Sequence, residues 1–162
     1  MHRVTSIGLS RRTLLLAAAA LGFSTAALAV EPPINTLKNS FLSSRTDTAI
    51  NGYDTVAYIT LMKPVKGLDT LVHQWMGAKW KFSTQAHLDL FKANPEKYAP
   101  QYGGYCAYGV SQGNLVKVDP AQFAVVGGKL YLNYDADVQA LWKKDIPGFI
   151  KLADDRFSAL LK

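Results

Sequence analysis

Two pairs of short segments, Leu71–Met76 with Lys79–Phe82 and Gln122–Val126 with Lys129–Asn133, flank the glycine-bearing turns Gly77-Ala78 and Gly127-Gly128. This spacing predicts two β-hairpins, with Trp75, Trp80 and Phe82 supplying the aromatic bulk that strands favour. After each hairpin the apolar period lengthens to three or four residues. Ser83 occupies a helix N-cap position ahead of Ala86, Leu90 and Phe91, and Asn94-Pro95 ends that helix. Asp135 caps a second helix carrying Val138, Leu141 and Trp142, which stops at Ile146-Pro147-Gly148. A last helix puts Phe149, Ala153, Phe157 and Leu160 on one side. The expected architecture is α+β, a small antiparallel sheet of two hairpins packed with short helices in one domain over residues 49–162. No internal repeat and no low-complexity tract is read from the pattern.

Ahead of that domain the chain changes character. Arg3, Arg11 and Arg12 form a basic stretch without an acid, Leu14–Leu28 is rich in Ala and Leu, and Ala27-Leu28-Ala29 is a small-x-small site. These mark residues 1–29 as an export leader cleaved after Ala29. Ser10-Arg11-Arg12-Thr13-Leu14-Leu15 adds a twin-arginine pattern, the signature of export in the folded state to the periplasm. Residues 30–48, polar and opened by Glu31-Pro32-Pro33, read as a mobile arm or a loosely docked lead-in.

Charge is then less informative than it first looks. The chain carries 18 Lys and Arg against 12 acids, a formal +6, but three of those cations and no acid lie in the leader, leaving +3 for residues 30–162. No Lys/Arg cluster alternates with aromatics as a nucleic-acid surface requires, so no nucleic-acid partner is expected. No apolar run of membrane-spanning length follows Ala29, so no mature transmembrane segment is expected.

The chemistry concentrates on few residues. Cys106 is the one cysteine, set in Tyr102-Gly103-Gly104-Tyr105-Cys106-Ala107-Tyr108-Gly109. A lone thiol in an oxidising compartment cannot form an internal disulfide, which leaves a buried small hydrophobe, an intermolecular bridge, a soft metal ligand or a nucleophile. His87 falls in the first turn of the first predicted helix, and His73 lies in a strand on the face of Trp75. Asp54, just before an apolar run, reads as a helix cap or turn acceptor. The three tyrosines near Cys106 suit packing beside a glycine turn or hydrogen bonds to a small ligand. The glycines lack the dinucleotide spacing and a Walker lysine, and neither a nucleophile elbow nor an HExxH helix is present.

Several of these segments carry a resemblance. Trp80-Lys81-Phe82-Ser83 with Phe91-Lys92-Ala93-Asn94-Pro95-Glu96-Lys97-Tyr98 resembles the core of the YHS domain, a module related to the TRASH heavy-metal-binding domains. Together with Ile50–Tyr58, Tyr102–Gly109, Leu130–Tyr134 and Lys144–Gly148, it is similar to the exported bacterial YHS domain-containing (seleno)proteins, over Ile50 to about Asp155. In metal-binding relatives the strand-ending Phe is followed by cysteines spaced C-x3-C, and those positions match Ser83 and His87 here. The resemblance further implies Cys106 as the counterpart of selenocysteine in some members.

Two classes of function follow. The first is a periplasmic protein holding a soft or borderline metal, copper or zinc, through Cys106 with His87 and His73. The second is a thiol-based redox or covalent catalyst with Cys106 as nucleophile and a histidine lowering its pKa. A non-catalytic module that binds a small ligand or a protein partner is the third reading.

Overall fold

In the computed structural model, residues 31–37 and 45–162 are described; the leader predicted over 1–29 lies outside them. The class is α+β as expected, but the hairpins form two separate two-stranded antiparallel sheets. The chain runs α1 (Thr55–Thr60), β1 (Leu68–Trp75), β2 (Ala78–Phe82), α2 (Gln85–Ala93), α3 (Pro95–Tyr98), α4 (Ala107–Ser111), β3 (Asp119–Val126), β4 (Lys129–Asn133), α5 (Ala136–Trp142) and α6 (Ile146–Leu160).

That order contains a repeat, which corrects the reading of the sequence as non-repetitive. A left-handed turn at Ile50 and Asn51 leads through Asp54 into α1, and a left-handed turn at Tyr102 and Gly103 leads through Cys106 into α4. In each, the amide three residues after the turn's first left-handed position closes back: Tyr53 N–H on the Ile50 carbonyl at 3.1 Å, Tyr105 N–H on the Tyr102 carbonyl at 3.0 Å. Each capping residue's own amide then bonds a later loop, Asp54 to the Val65 carbonyl and Cys106 to the Val116 carbonyl. The hairpins agree in register as well. Val72, His73, Gln74 and Trp75 oppose Lys81, Trp80, Lys79 and Ala78, while Phe123, Ala124, Val125 and Val126 oppose Leu132, Tyr131, Leu130 and Lys129, and both ladders slip at the same place upstream. The two halves are related by a shift of 52 residues at the capping position (Asp54 to Cys106) and 51 through the hairpins.

Packing repeats with the backbone. Trp80 of β2 lies against Phe91 of α2, ring centroids 5.1 Å apart at 32°; Tyr131 of β4 lies against Trp142 of α5 at 5.5 Å and 36°. All four rings are buried, each removing enough apolar surface from water to contribute roughly 1.5–3 kcal/mol. The first repeat builds its core on Val56, Tyr58, Trp80, Phe82 and Phe91, and the second on Tyr105, Val110, Tyr131 and Trp142 with α6 laid across it through Ala153.

Local chemistry explains where the elements begin. The first hairpin turn is Met76-Gly77, one residue earlier than predicted, and both residues have positive φ, as do Gly127 and Gly128 in the second; a two-residue turn of this hand matches strand twist. Thr84, not Ser83, caps α2, its hydroxyl accepting the His87 N–H at 3.1 Å. Asp135 caps α5 as predicted. Asn94 and Asp145 cap the next helical segments of the two repeats.

The lead-in is docked in its described parts. Ile34, Asn35 and Thr36 are buried, and Asn35 donates from its amide to the Gly103 carbonyl and from its side chain to the Gly104 carbonyl, both at 2.9 Å. A Cβ on Gly103 would overlap the Pro33 carbonyl oxygen, so glycine is what admits this strand of chain.

Candidate functional site

The repeat places two side-chain clusters in equivalent positions, each built on the cap of the first helix and the start of the helix after the hairpin. In the first repeat the cap is Asp54, fully buried. One carboxylate oxygen, Oδ1, accepts the N–H groups of Val56 at 3.0 Å and Ala57 at 3.3 Å, which starts α1. The other, Oδ2, accepts the Ser83 N–H at 2.8 Å, the Ser83 hydroxyl at 2.6 Å and His87 Nδ1 at 2.7 Å. A carboxylate so placed offers no proton, so it fixes the imidazole proton on Nδ1. His87 Nε2 is directed to the outer side, 3.5 Å from Thr60 Oγ1, and its side chain is 12% exposed. Thr60 Oγ1 itself donates to the Val56 carbonyl at 2.9 Å.

The second repeat keeps the frame and changes every group. Cys106 stands for Asp54, Gln112 for Thr60, Tyr134 for Ser83 and Val138 for His87, following the shifts of 52 and 51 residues. Cys106 is 1% exposed, and its sulfur accepts the Gly109 N–H at 3.3 Å as the cap of α4. Its thiol faces Asn133 Oδ1 at 3.8 Å, an oxygen that also accepts the Tyr108 N–H at 3.3 Å. In place of the ionic cluster there is a cavity of about 330 Å³, walled by Cys106, Tyr108, Gln112, Val116, Tyr134 and Val138. Its size falls in the range of small-molecule sites, about 300–1,000 Å³.

Burial sets the state of the thiol. It pushes the Cys106 pKa above the usual thiol value, and the backbone N–H groups of Gly109, Tyr134 and Tyr108 pull the other way without overcoming it. Cys106 is therefore a neutral thiol at physiological pH, a weak nucleophile and a soft, polarisable contact.

The three residues read from the sequence as metal ligands occupy three environments. Cys106 borders the second-repeat cavity, whose wall includes neither histidine. His87 is held on Asp54. His73, half-buried in β1 opposite Trp80, packs edge-on against Phe91 with centroids 6.1 Å apart. No hydrogen bond or ring contact among the described residues joins any two of the three, and no group of three or more His, Cys, Asp and Glu there is arranged to hold a metal ion. Of the tyrosines near Cys106, only Tyr108 reaches the cavity. Tyr102 donates to Asp154 at 2.9 Å and Tyr105 to the Pro32 carbonyl at 3.0 Å.

Sequence reasoning placed Asp54 correctly as a cap and missed its second oxygen. A sequence signal existed for the repeat and not for this cluster: aligning Gly77–Lys92 with Gly128–Lys143 sets the glycines, Trp80 on Tyr131, Leu90 on Leu141 and Phe91 on Trp142 in register. Among the described residues no helix is long and apolar enough to cross a membrane. No family model, curated protein or solved structure matches the chain.

Proposed function

We propose that this chain is an exported, YHS-type, non-catalytic binding module whose ligand site is the cavity at Cys106, taking a small, predominantly apolar molecule against a neutral thiol. The carrying observation is the comparison within the molecule: the position that the Asp54–Ser83–His87 cluster fills in the first repeat is an apolar-walled space of about 330 Å³ in the second. A buried thiol with a raised pKa argues against the nucleophilic reading, which needs thiolate. The test is thermal unfolding of the full chain with and without saturating benzene, a probe that dry apolar cavities admit. A rise in Tm for the native chain, absent in Val138→Phe with its own cooperative unfolding retained, supports the assignment. An unchanged native Tm contradicts it.

A second reading, copper or zinc binding, is favoured by one observation, the carboxylate that holds His87. Metal-bound imidazoles commonly give their other N–H to such a carboxylate, and here Nε2 is the nitrogen left for an ion. On this reading the ion sits at His87, with Asp54 behind it and with Cys106 and His73 outside the ligand set. Copper and zinc titrations separate the versions. Loss of binding in His87→Gln alone supports the His87 site, whereas loss in Cys106→Ser as well restores the joint cysteine–histidine set.

A further inference from the structure

A second cavity, of about 400 Å³, lies where the first repeat and the Tyr102 turn meet α6. Its walls include three aromatic rings, Trp75 from β1, Tyr102, and Phe157 from α6, with Tyr102 and Phe157 in edge contact at 5.6 Å. Two carboxylates join them, Glu96 from α3 and Asp154 from α6, and no Lys or Arg lines the space. Four acids elsewhere pair with a Lys or Arg, Glu31 with Arg45, Asp47 with Lys79, Asp69 with Lys81 and Asp155 with Lys151, while the rest form no such pair among the described residues. Glu96 and Asp154 have no ion pair among the described residues, and the one hydrogen bond to Asp154 from a side chain is donated by the neutral Tyr102 hydroxyl. Two exposed carboxylates without an ion pair thus stand beside the aromatic walls.

We infer that this cavity binds a small organic ammonium ion, with Trp75, Tyr102 and Phe157 surrounding the cationic group and Glu96 and Asp154 supplying the countercharge. Aromatic rings attract cations through their negative faces, and an alkylated ammonium, weakly hydrated, gains most from leaving water for such walls. The assignment stands apart from the Cys106 cavity, which shares no wall residue with this one.

The test is isothermal titration calorimetry of the full chain with choline chloride, beside 3,3-dimethyl-1-butanol, its uncharged isostere. Saturable choline binding is expected, about ten-fold or more tighter than the isostere, and weakened at least about five-fold in Glu96→Gln and in Asp154→Asn. Both substitutions keep side-chain size, and the amide oxygen that Asp154→Asn introduces can still accept from the Tyr102 hydroxyl, so folding is preserved and is checked by circular dichroism. Absent choline saturation in the native chain overturns the proposal, as does equal affinity for the isostere or undiminished binding in both variants.

Discussion

The two repeats solve the same backbone problem with opposite chemistry. Each must start a short helix at a left-handed turn and tie it to the strand end of its own hairpin. In the first repeat Asp54 does both with one carboxylate, gathering three backbone amides, a hydroxyl and an imidazole around a group with no exposure to water. In the second, Cys106 caps the helix through its sulfur, and Val138 contributes nothing polar, so the space between cap and helix stays open. One site is a hydrogen-bonded fastening and the other is an open pocket on the same frame, the place that the proposed ligand would take.

Breaking the fastening has the largest expected effect. Asp54→Ala leaves Ser83, His87 and the first turn of α1 without their acceptor in the interior, a loss of about 3–5 kcal/mol by urea unfolding. The equivalent Cys106→Ala removes a small side chain and a weak cap, with an expected loss of about 1–2 kcal/mol. Equal losses would erase the distinction between the repeats. Next in size, His87→Val, which installs the residue of the second repeat, takes one donor from a buried carboxylate and is expected to lose about 1–3 kcal/mol. Val138→Phe, directed into existing space, should change stability by less than about 1 kcal/mol, and a larger loss would show that the space is already closed in solution.

Alkaline pH sharpens the contrast more gently. The folded Cys106 thiol holds its proton more tightly than an unfolded one, because burial raises its pKa. Above the unfolded value, about 8.5, the unfolded chain carries fewer protons than the folded one, so this contribution is fully present below that pH and is lost as pH rises through and beyond it. Tyr58, Tyr102, Tyr105 and Tyr131 are raised for the same reason and extend the loss above about pH 10. Unfolding measured between pH 7 and 10 should show the earlier part of the decline in the native chain and not in Cys106→Ser; identical curves would mean that the thiol titrates normally.

Much of this was legible in the residues. Hairpins and the helices after them follow from glycine-bearing turns, aromatic strand residues and caps such as Asp135, whose effects are local. The α+β class followed from their order. The Asp54 cluster was not legible, because its acceptor and its donors stand 29 and 33 residues apart and only the folded loop brings them together. The repeat hid for a related reason: aromatic bulk is kept at two buried positions, Trp80 with Tyr131 and Phe91 with Trp142, while other buried equivalents change polarity, Phe82 to Asn133 and Leu88 to Gln139. The joining of Cys106 with His87 and His73 was read from residue types that suit a metal; in the fold Cys106 borders a cavity, His87 is held on Asp54 and His73 packs on Phe91.

The most direct test of the open second site uses the fact that the chain has one cysteine, so every alkylation event reports on Cys106. The rate of reaction with iodoacetamide under native conditions, with and without saturating benzene, reads both the state of the thiol and the occupancy of the space beside it. Reaction at least about ten-fold slower than in the urea-unfolded chain, slowed further by benzene, is the predicted result. A rate equal to that of the unfolded chain and indifferent to benzene would show that the thiol is neither buried nor beside a ligand cavity, and would contradict the account.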